Sequence, residues 1–349
     1  MKVLITHEIF PPEFLRGGEL LTYRIAHFLV KNGHSVKVLT SGNPKIKSYM
    51  GIETIRIPIN RYAMNLIFPI VLKYASWADL IQTSSGNLCL PSWFAAKILK
   101  KPICCYVHHI FGHYWKDVRG PLLGRLFENL EKFFLSKDFD AIIFQNKSSL
   151  RLGKKIKLKA KKSFLIHPGI DFKKFKIRKK EEFVLFVGTT SMDKPLANIK
   201  GVKYLIECAR KLPEVKFIIV GGGKGLEELK KTSPNNVVFK GALRGNPLFD
   251  IYSRALIFCL PSLAEGFGLT ILEAMASGCA IVSTVDLGQK GILIKPKNSN
   301  QIKNAIEHLL KNRAESIEIG KENRRLVRKF TWDKFFKDII KIYNSIIRK

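Results

Sequence analysis

The chain has 349 residues, 46% of them hydrophobic and 25% charged, which excludes a disordered, fibrous or collagenous chain and suggests two domains of roughly 100–200 residues. Sixty Lys and Arg against 28 Asp and Glu leave a formal charge of +32, enough to attract phosphorylated substrates, anionic lipid or nucleic acid without choosing among them. The six cysteines show no CxxC spacing, which argues against a zinc or disulfide framework and reads as reduced core thiols.

Short β-rich runs alternate with amphipathic segments from the start of the chain. Strands are predicted at Val3–Thr6, Val36–Thr40, Leu80–Gln82, Ile103–Val107 and Ala141–Gln145, with a helical pattern over 19–32 after the first. Such alternation is the signature of a parallel sheet with crossover helices. The opening Met1-Lys2-Val3-Leu4-Ile5 runs into His7 and Glu8, without an apolar segment of signal-peptide length. Leu66–Leu72 falls far short of the roughly 20 apolar residues that cross a bilayer, and it contains Pro69. A cytoplasmic protein, peripheral on the inner face of the cell membrane, is the expectation.

Basic residues crowd 154–162 and 173–180, a stretch that reads as a solvated linker between domains. Beyond it the pattern restarts, with strands predicted at 164–166, 183–187, 217–220, 237–239, 255–260 and 280–283, and helices at Val202–Lys211 and Leu269–Ser277. The final segment carries Trp332, Phe335, Phe336, Ile339, Ile340, Tyr343 and Ile346 at helical spacing, an apolar stripe that needs a surface to cover.

The most informative string runs from Pro261 to Gly278, after a buried strand and into a helix. Gly266 and Gly268 let backbone approach a ligand closely, and amides at the start of the following helix favour an anion such as a diphosphate. Glu273 sits in an otherwise apolar helix, where a carboxylate needs hydrogen-bond donors such as the hydroxyls of a ribose.

This string resembles the retaining glycosyltransferases of family 4, marked by two glutamates seven residues apart, here Glu265 and Glu273. Pro11-Pro12, Arg16-Gly17-Gly18-Glu19, His167-Pro168-Gly169, Phe186-Val187-Gly188 with Lys200-Gly201, Ile219-Val220-Gly221-Gly222-Gly223 and Phe239-Lys240-Gly241 resemble further segments of that family. The resemblance implies an α/β GT-B fold of two Rossmann-like domains facing across a cleft. The acceptor-binding domain would span 1–165 and the nucleotide-sugar-binding domain 166–330, with a helix at 331–349 returning to the first.

By the same resemblance Glu265 lies beside the donor sugar, Lys200 neutralises the leaving diphosphate, and His108 attends the acceptor. Gly17, Gly18, Gly188, Gly221, Lys240, Gly266, Phe267, Gly268, Leu269 and Glu273 would contact the donor. The implied reaction moves a hexose from a nucleotide-diphosphate sugar to a glycan or lipid-linked acceptor with retained configuration, without a bound cofactor or metal. Departures from the family pattern are His109 after His108, Thr189 and Thr190 where an arginine is usual with Lys194 the nearest cation, and a short loop after Asp286.

Two other classes compete with this reading. An NAD-dependent oxidoreductase lacks its Gly-x-Gly-x-x-Gly after the first strand. A weakened sugar-nucleotide or nucleic-acid binding module is the alternative that the charge and the missing arginine favour, although no specific nucleic acid is expected. The same charge predicts attraction to an anionic membrane surface, with Leu66–Val71 and Ile110–Trp115 as the apolar contribution.

Overall fold

The computed structural model of the protein describes residues 1–13, 17–190 and 198–347, and divides the chain into two compact units. The first holds 1–112, 129–168 and 333–349; the second holds 113–128 and 169–332. Residues 113–128 therefore pack with the second unit, whereas the sequence reading runs the first domain unbroken from 1 to 165.

In the first unit eight strands, β1 (Lys2–Thr6), β2 (Ser35–Ser41), β3 (Ser48–Tyr49), β4 (Ile52–Ile57), β5 (Leu80–Ser84), β6 (Ile103–Val107), β7 (Ala141–Phe144) and β8 (Ser163–Leu165), form one sheet. Their order is β3-β4-β2-β1-β5-β6-β7-β8, parallel except for the β3–β4 pair. Strands β5, β6 and β7 are buried along their whole length, as expected where helices cover both faces of a parallel sheet. The C-terminal helix Trp332–Ile347 lays Phe335, Phe336, Ile339, Tyr343 and Ile346 onto this unit. There Phe336 stacks on Phe28 with ring centroids 4.2 Å apart, and the Tyr343 hydroxyl donates to Gln82.

The second unit has six parallel strands, β9 (Glu181–Val187), β10 (Lys216–Val220), β11 (Val237–Phe239), β12 (Ala255–Leu260), β13 (Ala280–Ser283) and β14 (Gly291–Leu293), in the order β11-β10-β9-β12-β13-β14. Lys180, the last cation of the basic stretch, is not solvated: its ammonium donates to the carbonyls of Ser253 (3.1 Å) and Ser277 (2.7 Å), and burial lowers its pKa. It ties the start of β9 to the ends of two helices, a role that a charge run in a sequence does not announce. All six cysteines are free and buried.

Candidate functional site

The second sheet places β9 centrally, sends the chain outward to β10 and β11, and returns it to β12 on the other side. At such a switch point the loops leaving the strand ends diverge, and ligands of open α/β sheets bind there. The two helices that follow β9 and β12 each begin at a glycine in the left-handed region: Gly201 (φ 73°) before Val202–Arg210, and Gly268 (φ 91°) before Leu269–Ala276.

Gly201 does more than permit a turn. A Cβ at this position would stand 1.9 Å from the carbonyl oxygen of Pro261, so only glycine lets the loop before one helix meet the loop before the other. The Leu263 amide closes the seam on the Ile199 carbonyl at 2.9 Å. This brings the Lys200 ammonium to 2.5 Å from Glu265 Oε1, and the Ser262 hydroxyl donates to the same oxygen at 3.1 Å. The Glu265 side chain is 7% exposed and that of Lys200 28%, so the cation is the member of the pair that remains accessible.

On the other side of β9 the strand ends are drawn together by glycines. A Cβ on Gly221 would lie 1.8 Å from the Gly188 carbonyl oxygen, and the Gly221 amide donates to the Gly241 carbonyl at 2.8 Å. Gly188 in turn lies against the Lys200 side chain. The Lys240 amide donates to Ile219, leaving its side chain exposed beside these glycines in sequence.

Glu273 stands on the Leu269–Ala276 helix among buried Ile271, Leu272, Ala274 and Met275. Burial pushes its carboxyl up to about 7, against the opposing effect of a 2.9 Å hydrogen bond donated by Tyr252. The sequence reading required hydroxyl donors for this carboxylate, and the fold itself supplies one. Phe267 is buried and meets Phe330 edge-on at 6.1 Å, so its ring anchors the loop in the core while Leu269 opens the helix.

In the first unit His108 follows β6, at the same edge of the sheet as the residues after β1. Gln145 donates to the carbonyls of Val107 (3.3 Å) and His108 (3.2 Å), and Thr22 Oγ1 lies 3.5 Å from the ring Nε2. The His7 ring stands edge-on at 5.1 Å. Burial holds the His108 pKa well below the ordinary 6.5, and the neighbouring His7 and His109 push in the same direction, so the imidazole is neutral near pH 7. A Cβ on Gly18 would touch this ring at 3.5 Å, whereas one on exposed Gly17 would meet nothing. Of the Gly-Gly pair, Gly18 alone lies against His108.

Among the described residues no group of three or more His, Cys, Asp or Glu side chains is placed to hold a metal ion. No helix among them is long and apolar enough to cross a membrane.

Comparison with known proteins decides the family. The model of Glycosyltransferase Family 4 matches residues 15–174, and that of Glycosyl transferases group 1 matches 181–312. The chain belongs to glycosyltransferase family 4. It is 23% identical to an uncharacterized glycosyltransferase of Methanocaldococcus jannaschii over 98% of each chain. It is 27% identical to the alpha-monoglucosyldiacylglycerol synthase of Streptococcus pneumoniae, over 73% of this chain and 65% of that one. The crystal structure of Anabaena HepE in complex with UDP-glucose superposes with a TM-score of 0.76 at 18% identity, covering 99% of this chain and 100% of that one. The fold is GT-B, and the protein is a glycosyltransferase.

Against that family's pattern the departures now have structures. Thr189 Oγ1 donates to the Gly222 carbonyl at 3.3 Å and the Thr190 amide to the same oxygen at 3.2 Å, so the two threonines tie β9 to β10 where the family carries an arginine. Thr190 Oγ1 is buried without a hydrogen-bond partner among the described residues. The short loop after Asp286 is closed on itself: Asp286 accepts from Gly288 at 2.8 Å, and Gln289 spans Leu287 and Val285. His109 meets Phe111 edge-on at 4.2 Å. Lys194 and Arg16 lie outside the described residues.

Four polar residues of these sites escaped the sequence reading. Tyr252 and Ser262 hold the two glutamates, Gln145 clamps His108, and Glu8 takes both Nε and Nη2 of Arg61, at 3.1 and 2.7 Å. Glu8 had a legible signal, since it follows the first strand of a parallel sheet, where ligands and their supports collect. Tyr252 had none, because a tyrosine in an amphipathic helix looks like core.

Proposed function

We propose that this glycosyltransferase moves a hexose from a nucleoside-diphosphate sugar to an amphiphilic or glycan acceptor with retention of configuration. The observation that carries the reading is the seam at Gly201 and Pro261, which delivers an accessible ammonium and a buried carboxylate to one switch point. In the donor complex Lys200 exchanges part of its contact with Glu265 for the diphosphate, and Glu265 turns its freed capacity to the sugar hydroxyls. Glu273 accepts from the ribose, as it accepts from Tyr252 here.

The anomeric C–O bond breaks with its electron pair leaving on the diphosphate. The acceptor oxygen bonds from the same face, and its proton passes to the departing phosphate oxygen. Charge developing on the leaving group is met by Lys200, by Lys240 and by the amides of Gly266 to Leu269, preorganised donors that make a divalent metal and a bound cofactor unnecessary. Gly188 and Gly221 keep the strand ends low enough for phosphates to approach. His108, neutral, with Gly17 and Gly18 beside it, serves acceptor and donor on the first domain.

Support from relatives is of two kinds: HepE crystallises in complex with UDP-glucose, and the Streptococcus pneumoniae protein is an alpha-monoglucosyldiacylglycerol synthase. A panel of nucleoside diphosphates in a thermal-shift assay tests the donor half. One base is expected to stabilise the protein, by about 2.7 kcal/mol at a hundredfold excess over its Kd. Transfer by the same protein should survive EDTA. Strict dependence on magnesium or manganese overturns the metal-free mechanism, and stabilisation without any transfer leaves a weakened sugar-nucleotide binder.

A further inference from the structure

The helix Pro121–Leu135 is built inside out. Its apolar residues Leu122, Leu123, Leu126, Leu130 and Phe133 recur at helical spacing on one face, and they are 87%, 57%, 52%, 36% and 50% exposed. Its carboxylates point the other way: Glu131 accepts from the amides of Phe111 (3.0 Å) and Gly112 (2.7 Å). The orientation is held by packing. A Cβ on Gly124 would lie 2.4 Å from the Lys116 Cα, Phe127 stacks on Trp115 at 5.1 Å, and Arg119 covers the same Phe127 ring. A rotation that buried the leucines would have to break all of these contacts and expel Glu131 from its two amides.

The apolar face continues beyond the helix. Lys137 lies over the rings of both Phe133 and Trp93, which bridges to Phe94 and Ile98 on the neighbouring Cys89–Ile98 helix, themselves 49% and 60% exposed. Exposed cations border it, Arg125 and Lys132 on the helix and Lys100 after Ile98, while Lys97 is paired with Asp138 at 2.6 Å. The nearby acid Asp117 is engaged by Lys297 at 2.6 Å. Of the segments that the sequence offered to a membrane, Ile67, Val71, Ile110 and Phe111 are buried core, whereas Leu66 is 80% exposed.

We propose that this face is a membrane-docking surface, with the Pro121–Leu135 helix lying in the headgroup layer of an anionic bilayer and its leucines in the acyl boundary. Charge selects this occupant. A second copy would bring another +32 against a face already bordered by cations, whereas anionic headgroups complement it and acyl chains accept the leucines. The inference rests on the amphiphilic-acceptor reading for its purpose, but the affinity of the surface needs neither donor nor acceptor to be measured.

The test is co-sedimentation of the full chain with phosphatidylglycerol–phosphatidylcholine vesicles and with pure phosphatidylcholine vesicles at physiological salt. Partitioning should favour the anionic vesicles, and the triple variant Leu122→Gln, Leu126→Gln, Phe133→Gln should lose about tenfold or more of it. Leu293→Gln, at an exposed leucine of β14, should change nothing. A Leu126→Trp variant should shift its emission to the blue on anionic vesicles. Equal partitioning of wild type and triple variant, no blue shift, or a dimer that the triple variant dissolves each overturns the proposal. Nucleoside-diphosphate stabilisation of the triple variant separates this failure from that of the transferase reading: loss of vesicle binding with that stabilisation intact leaves the docking surface supported, and vesicle binding by a protein that no nucleotide stabilises leaves it standing alone.

Discussion

The two sheets present two versions of one topology and arm their switch points differently. In each, a central first strand is flanked by the strand that follows it and by one to which the chain returns, β1 between β2 and β5, and β9 between β10 and β12. At the first, the polar residues are a neutral His108, His7, Gln145 and a Glu8 held by Arg61 and by the Asn87 amide. At the second, glycine seams drive a lysine and a buried glutamate together and leave the cation accessible. Topology chooses the place, and the chemistry there depends on which side chains the loops are allowed to bring into contact. On the proposed reading, anion handling belongs to the second sheet, and hydrogen bonding by a neutral imidazole to the first.

The sharpest way to break this contrast is Lys200→Ala, which removes the accessible cation from beside the buried Glu265. Turnover is expected to fall about 100-fold or more, with weaker donor binding as well, measured by steady-state kinetics and nucleotide titration. Near-normal turnover would mean that the second switch point does not handle the leaving group. Glu265→Ala should follow, with turnover falling more than nucleotide affinity because its partner is the sugar.

The seam itself is tested by Gly201→Ala. With a carbonyl 1.9 Å from the new Cβ and a positive φ, folding stability should drop by about 2–4 kcal/mol in chemical denaturation. A drop below the error of the measurement would show that the two loops part without cost.

Glu273→Ala should weaken nucleotide binding by about 1–3 kcal/mol through unsatisfied ribose hydroxyls. Its pH dependence sharpens the point. A carboxyl raised to about 7 in the folded protein is protonated there and ionised when unfolded, so between the ordinary 4.5 and about 7 stability falls as pH rises. A ligand that donates to the ionised form binds more tightly over the upper part of that window, and Glu273→Gln should remove this dependence from the nucleotide Kd. Identical pH profiles for the two proteins would dissociate Glu273 from the ribose.

The smallest expected effect lies on the first sheet. His108 is neutral when folded and protonates when unfolded below about 6.5, so it contributes a loss of stability as pH falls from 6.5 toward its depressed folded value. His108→Gln should flatten that part of the stability curve while leaving nucleoside-diphosphate binding unchanged. A change in nucleotide affinity equal to that of Glu273→Ala would erase the division of labour between the sheets.

Much of this protein was written along the chain. Alternating apolar runs of strand and helix length located β1, β2, β5 to β7 and the strands of the second sheet other than β14, because a strand buried on both faces must be apolar along its length, but they assigned 164–166 to the second domain although it pairs with β7 as β8. The pair β3–β4 went unseen, since Ile52–Ile57 alternates with charged and polar residues and the edge strand β3 has only two residues. Glycine positions and the paired glutamates carried the site, because a left-handed φ or a carboxylate in an apolar helix has few explanations.

What the chain alone withheld were relations between residues distant in sequence. That Lys200 touches Glu265, that Tyr252 serves Glu273, that Lys180 is a buried tie, and that the leucines of 122–133 face outward while Glu131 faces in, all depend on how loops and helices pack. The periodicity of a helix states that it has an apolar face and says nothing about where that face points. For most helices the hydrophobic effect turns it inward, but on Pro121–Leu135 the Gly124 contact and the amides of Phe111 and Gly112 hold it out.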